Sequence, residues 1–278
     1  MTDTSIRTAV AAWLSDATAA ETTYGHISTW ETGGVTDMSE LFCESSHSLS
    51  TCYNSGAASF NEDISAWDTS GVKTMYGMFN GASSFNRDIG GWAVDSVTHM
   101  GMMFAVALVF DQDIANWAVH SVKNMKLMFD RASSFNQDIG GWAVHSVTDM
   151  SGMFEEAWAF NQEIGDWAVH NVKYMSQMFA DATSFNQDLG WCVDDDVEFD
   201  PDGDGSLTFQ DAFESTPCAS TSCGVLQGDA CAPTPLPVPN PTPRPVQLTT
   251  YVMTDSNIRT AVAAWLADAS AAETTYAG

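Results

Sequence analysis

Residues 200–211, DPDGDGSLTFQD, place Asp200, Asp202 and Asp204 at positions 1, 3 and 5 of a loop, Gly205 at 6, Ser206 at 7, Thr208 at 9 and Asp211 at 12. A hard cation such as Ca2+ takes about six to eight oxygen ligands, and this spacing wraps carboxylates round one point while the glycine permits the sharp turn between them. The reading is a calcium site formed by Asp200, Asp202, Asp204, the Ser206 carbonyl, Thr208 and Asp211. Asp211 is one methylene shorter than the glutamate that usually closes such a loop, which leaves bidentate closure open. The alternative is an acidic turn that only spells like a loop. If the ion binds, a structural role is expected rather than a sensing one, because a single loop beside cysteines would stay occupied where calcium is abundant.

Other chemistry-bearing residues recur at a fixed interval. His120, His145 and His170 lie 25 residues apart. Neighbouring copies about 4.8 Å apart would form either a metal-binding or pH-responsive row or a solvated turn, which Ser70 and Asp95 in the same column favour. Asn61, Asn86, Asn136, Asn161 and Asn186, with Asp111 completing the column, suit either a carbohydrate groove or an internal ladder bonded to turn backbone. Asp63, Asp88, Asp113, Asp138 and Glu163 form an acidic row whose members must cap backbone amides or share cations, since stacked like charges repel. No G-x-S-x-G, H-E-x-x-H, Cys/His pair or paired-carboxylate constellation stands apart from the repeat, so an enzyme is not expected.

The elements that position these residues are repeats. FNEDI at 60, FNRDI at 85, FDQDI at 110, FNQDI at 135, FNQEI at 160 and FNQDL at 185 mark a 25-residue period. Trp67 to Trp167, Val72 to Val172, Met75 to Met175, Met78 to Met178 and Phe79 to Phe179 form apolar columns at that period, joined by alanines from Ala57 to Ala182. Within a repeat, W-x-V alternates as a strand does, while V-x-x-M-x-x-M-F steps by three and four as a helix does. The fold expected is therefore an α/β repeat solenoid of 25-residue coils, each with a short strand and a short helix, buried by stacking on its neighbours. The first interval, Met38 to Met75, is longer by 12 residues and carries CESSHSLSTC, which a Cys43–Cys52 disulfide is expected to pin.

Ile6, Val10, Trp13, Leu14 and Ala17 share one helical face, with N-cap candidates among Thr2 to Ser5, and so predict a helix capping the first coil. Near the other end, residues 255–276 repeat residues 3–24 with four differences, so the chain reads as one unit of a tandem protein plus the opening of the next. Pro at alternate positions from Pro233 to Pro245 reads as a polyproline II spacer, in which Thr234 and Thr242 are candidate O-glycosylation sites. The domains expected are a cap helix (1–25), six to seven coils (26–192), a cap with the EF-hand- or dockerin-like loop and cysteines (193–231), a spacer (232–247) and the next cap helix (248–278).

A formal charge of −27, from 36 acidic against 9 basic residues, argues against nucleic acid and anionic lipid as partners. No apolar run approaches the roughly 20 residues of a membrane span, and the start MTDTSIRTAV lacks the profile of a signal peptide. Six cysteines, Cys43, Cys52, Cys192, Cys218, Cys223 and Cys231, flank the repeats and never enter them. They fit disulfides in an oxidising compartment better than zinc, for which no CxxC pair exists.

The phrases VTDMSGMF, SSFNQDIGGW and YGHISTW, spread over residues 26–192, resemble the BspA-like surface proteins. These are relatives of leucine-rich repeats, abundant in mycoplasma lipoproteins and in marine microalgae as a domain of unknown function. The resemblance implies a leucine-rich-repeat-like solenoid that is secreted or displayed on a cell surface, and it implies no catalytic residues. Two functions are expected. One is an extracellular structural or adhesive protein whose units, bound head to tail to other copies, build a fibre, filament or coat. The other is a calcium-organised module binding a glycan or a surface protein.

Overall fold

The computed structural model describes residues 1–44, 52, 54, 56–200 and 208–231. Met1–Ala232 form one compact unit, and Pro233–Gly278 are grouped separately. The Pro-rich spacer, the second cap helix, most of the CESSHSLSTC insertion, and Asp202, Asp204 and Ser206 lie outside the described residues.

The expected cap helix is two helices. α1 (Asp3–Ser15) starts at Thr2 with a reciprocal capping box: Ser5 N–H donates to Thr2 Oγ1 at 3.3 Å, and Thr2 N–H donates to Ser5 Oγ at 2.8 Å. It ends at Asp16, whose carboxylate accepts from Ala19 N–H at 3.1 Å and so opens α2 (Ala17–Tyr24). Because the chain turns there, Ala17 is exposed, and the buried face is Ile6, Ala9, Val10 and Trp13, joined by Ala20 from α2.

The helix also closes the end of the repeats. Asp3 Oδ1 accepts from Thr36 N–H at 2.6 Å and Asp37 N–H at 3.1 Å, and Asp3 Oδ2 accepts from Thr36 Oγ1 at 2.9 Å. In the next repeat the equivalent amide, Lys73 N–H, donates to the Thr36 carbonyl, and Thr98, Lys123, Thr148 and Lys173 continue the series. A carboxylate thus stands where a preceding repeat would supply a carbonyl.

Parallel bridges link Asp37, Thr74, His99, Asn124, Asp149, Tyr174 and Glu198 in order, one per repeat. Beside this ladder the phenylalanines stack, Phe79 on Phe104 at 5.7 Å and Phe104 on Phe129 at 5.6 Å. Trp117, Trp142 and Trp167 stack at 6.4 and 6.3 Å with nearly parallel planes. Each indole is also stitched to the repeat before it: Trp117 Nε1 donates to the Ile89 carbonyl, Trp142 Nε1 to Ile114 and Trp167 Nε1 to Ile139, all at 3.1 Å. That bond satisfies the one polar atom of a ring that is otherwise buried.

The strand-plus-helix coil of an α/β solenoid is not what the chain forms. Among the described residues α-helix is confined to α1 and α2, and the only strands are β1 (Cys192–Val193) and β2 (Leu226–Gln227), a parallel pair beyond the last repeat. The segment read as a helix is two successive turns. Met78 N–H bonds to Met75 O and Ala82 N–H to Phe79 O, each spanning three residues. The third residue of each turn has positive φ, Gly77 at 57° and Gly81 at 80°, as a type II turn requires. Met102, Leu127 and Gln177 adopt the same conformation in the first turn of their repeats, and Val106, Arg131, Glu156 and Asp181 in the second. A left-handed residue every fourth position ends any helix, yet the turns still send every third or fourth side chain inward. That inward rhythm is what imitates a helix in sequence.

The C-terminal segment ends the stack in its own way. Phe179 N–H donates to Ala212 O and Asp181 N–H to Glu214 O, so the 3-10 turn Phe209–Phe213 takes the place of a following repeat, and Phe213 stacks on Phe179 at 5.8 Å. Disulfides join Cys192 to Cys231, Cys218 to Cys223 and Cys43 to Cys52.

Candidate functional site

Of the calcium-loop residues, Asp200, Thr208 and Asp211 are described. Thr208 is the N-cap of the turn Phe209–Phe213, and Asp211, three residues on, returns its carboxylate to the Thr208 N–H. One Asp211 oxygen is therefore held by backbone, which orients the group. Among the described residues no group of three or more His, Cys, Asp or Glu is assembled for a metal.

The acidic row caps backbone. Oδ1 of Asp63, Asp88, Asp113 and Asp138 accepts from the N–H two residues on, at 2.9 to 3.0 Å. Bonds from the Ser65 hydroxyl and N–H hold the Asp63 carboxyl below the usual carboxylate range. Farther along, Asp138, Glu163, Asp166 and Asp188 line an open recess floored by Gly140, Gly141 and Gly165.

The asparagine column is an internal ladder. Asn86 N–H donates to Asn61 Oδ1, Asp111 N–H to Asn86 Oδ1 and Asn136 N–H to Asp111 Oδ1, at 2.9 to 3.0 Å. Gln112, Gln137, Gln162 and Gln187 add side-chain bonds to the same oxygens. The Oδ1 acceptors of this column are therefore engaged within the stack, by backbone amides and glutamine side chains of the following repeats. His120, His145 and His170 are exposed at turns.

Sequence reasoning passed over the residues that break the pattern. The corner column Ser83, Leu108, Ser133, Trp158, Thr183 holds small hydroxyl residues at three positions, but Leu108 is 40% and Trp158 53% exposed, and neighbouring Val109 is 44% exposed. Ser133 lies between them, its hydroxyl bonded to the Leu108 carbonyl at 3.0 Å. A large apolar side chain where the other repeats carry small residues was the available signal.

A family model described as Mycoplasma protein of unknown function, DUF285, matches residues 8–132 and 110–200. No curated protein and no solved structure matches the chain.

Proposed function

The chain belongs to that family, and from this premise we propose that it is an extracellular structural or adhesive module, one unit of a tandem array that builds a fibre or coat. The observation that carries the reading is where the side chains go. Aromatic, aliphatic and amide columns are all directed at the neighbouring repeats, and the recess beside the acidic row is open, lined by carboxylates, glycine and Gln187. Such a body transmits load and presents surface rather than enclosing a substrate.

Three disulfides, and the absence among the described residues of a helix long and apolar enough to cross a membrane, support secretion or surface display. Calcium held by Asp200, Asp202, Asp204, Ser206, Thr208 and Asp211 would brace the C-terminal segment, where Asp211 already caps the turn carrying Phe213. Units join head to tail through the duplicated segment 255–276, whose apolar positions Ile258, Val262, Trp265 and Leu266 repeat the α1 pattern. Such a heterologous contact does not close on itself and so propagates. Electron microscopy and sedimentation of the chain against a truncation after Val246 test this: filaments or oligomers are expected from the former and monomers from the latter. Equal assembly by both would refute it.

One observation favours a second reading, a glycan- or protein-binding module. Trp158 stands exposed in the same column as Leu108, with Val109 exposed beside Leu108, apolar surface that a scaffold has no need of. A glycan array or pull-down with the wild-type chain and Trp158→Ala separates the two readings.

A further inference from the structure

One column on the buried side of the stack holds Asn80, Ala105, Asp130, Glu155 and Ala180, so two carboxyls occupy successive repeats where the others carry a neutral residue. Phe129 and Phe154, immediately before them, stack at 5.7 Å, and Arg131 N–H donates to the Glu155 carbonyl at 2.8 Å, so the two repeats are bonded directly at this column. Asp130 is only 7% exposed, and its Oδ1 is shut off from solvent with no hydrogen-bond partner among the described residues. It faces a small recess that Glu155, Asn80, Ala105 and Leu127 also line.

We propose that Asp130 and Glu155 share a single proton across two neighbouring repeats, making this junction a point at which the stack responds to pH near neutrality. The protonated carboxyl donates its O–H to the other, which accepts as carboxylate. Loss of that proton to solvent leaves two anions stacked in a buried column, and the repeats part to hydrate them.

The surrounding charges do not remove the need for the proton. Arg131 bonds its Nη2 to Glu156 Oε1 at 2.8 Å, and its Nε stands 3.9 Å from Asp130 Oδ1, beyond hydrogen-bond reach. Glu155 and Glu156 approach from the following repeat and Asp181 bears on Glu155 from the one beyond, while the preceding repeat lines the recess with Met102, Ala105 and Val106, none of them charged. Burial, then the Glu155 charge, pushes Asp130 up to about 7, with Arg131 opposing; burial also raises Glu155.

A carboxyl raised in the folded state stabilises most when protonated, and that stability is lost as pH rises from the unfolded value near 3.9 through the folded value near 7. Within that window the opening equilibrium of this junction changes by up to about tenfold per pH unit.

Two amides report on it directly. Phe129 N–H donates to Met153 O at 2.9 Å and Arg131 N–H to Glu155 O at 2.8 Å, both across the junction, whereas Phe79 N–H donates to Met103 O where no carboxyl pair exists. Hydrogen exchange of the full chain from pH 5 to 8, corrected for intrinsic rate, should show protection at Phe129 and Arg131 falling at least about thirtyfold relative to Phe79. Asp130→Asn, or Asp130→Ala to match Ala105 and Ala180, should make that profile flat. Glu155→Gln should move the midpoint to lower pH. A wild-type profile parallel to Phe79, a decline that survives in the Asp130 variants, or a midpoint unmoved in Glu155→Gln would each overturn the proposal.

Discussion

Trp117→Ala tests whether the stack is held by its aromatic columns. Trp117 is 3% exposed, lies 6.4 Å from Trp142 and 6.2 Å from Phe104, and donates its indole N–H to the Ile89 carbonyl. Truncating a buried tryptophan costs about 3–5 kcal/mol, and the Ile89 carbonyl left without its donor adds roughly 1 kcal/mol, so a loss of about 4–6 kcal/mol is expected. Trp158→Ala is the internal control: the same residue type on the same stack, 53% exposed, should change stability by no more than about 0.5 kcal/mol. Trp117→Phe keeps most of the ring and loses the N–H, so it should fall between them at about 1–2 kcal/mol. Guanidinium denaturation followed by circular dichroism supplies the free energies. Because stacked repeats couple mainly to their nearest neighbours, hydrogen exchange should locate the loosening between Phe104 and Trp142. A gap of less than about 1 kcal/mol between the two alanine variants would mean that the columns are not what holds the repeats together.

Gly81 and Gly141 make a matched pair. A methyl at Gly81, where φ is 80°, would meet the Glu44 carbonyl oxygen at 2.1 Å, so Gly81→Ala should cost more than about 2 kcal/mol; at Gly141, where nothing lies within 4 Å, the same change should be neutral or stabilise by about 0.5 kcal/mol in thermal melts. Calorimetry with Ca2+ at millimolar concentration should show binding that Asp204→Ala removes, and chelation should lower the melting temperature of wild type only. Asp3 is held below the usual carboxylate value by the Thr36 and Asp37 amides, so its contribution is present above about pH 3.9 and lost as pH falls through its lower folded value. The melting-temperature gap between wild type and Asp3→Asn should therefore close on acidification from pH 5 to 2. A gap that widened would contradict the assignment.

The period, the columns and the cysteine framework were legible because each depends on residue type at fixed spacing. What Val72-x-x-Met75-x-x-Met78-Phe79 concealed was backbone sign. Inward positions every third or fourth residue arise equally from a helix and from consecutive turns, and only φ tells them apart. Glycine at 77, 81 and 152 hints at it, but Met102, Leu127 and Val106 hold the same conformation without glycine and erase the signal. Asn61 to Asn161 and Asp63 to Asp138 were read with their backbone-capping role as an open choice, and capping is what they do. Trp158 and the Asp130–Glu155 pair were missed because attention to what the repeats share hides where one repeat differs.

The carboxylate of Asp3, set where a preceding repeat would offer a carbonyl, has a consequence for how such chains change length. The first repeat is bonded to α1 through groups that any repeat could meet, and the last is bonded to a disulfide-pinned segment in the same manner. Neither terminus records how many rungs lie between. Duplication or deletion of 25-residue segments in the gene would then leave both closures intact, provided the break preserves register. Reach can be tuned by recombination without inventing a new end, while an insertion of another length must be bulged out between columns, as in the longer interval between the Asp37 and Thr74 rungs.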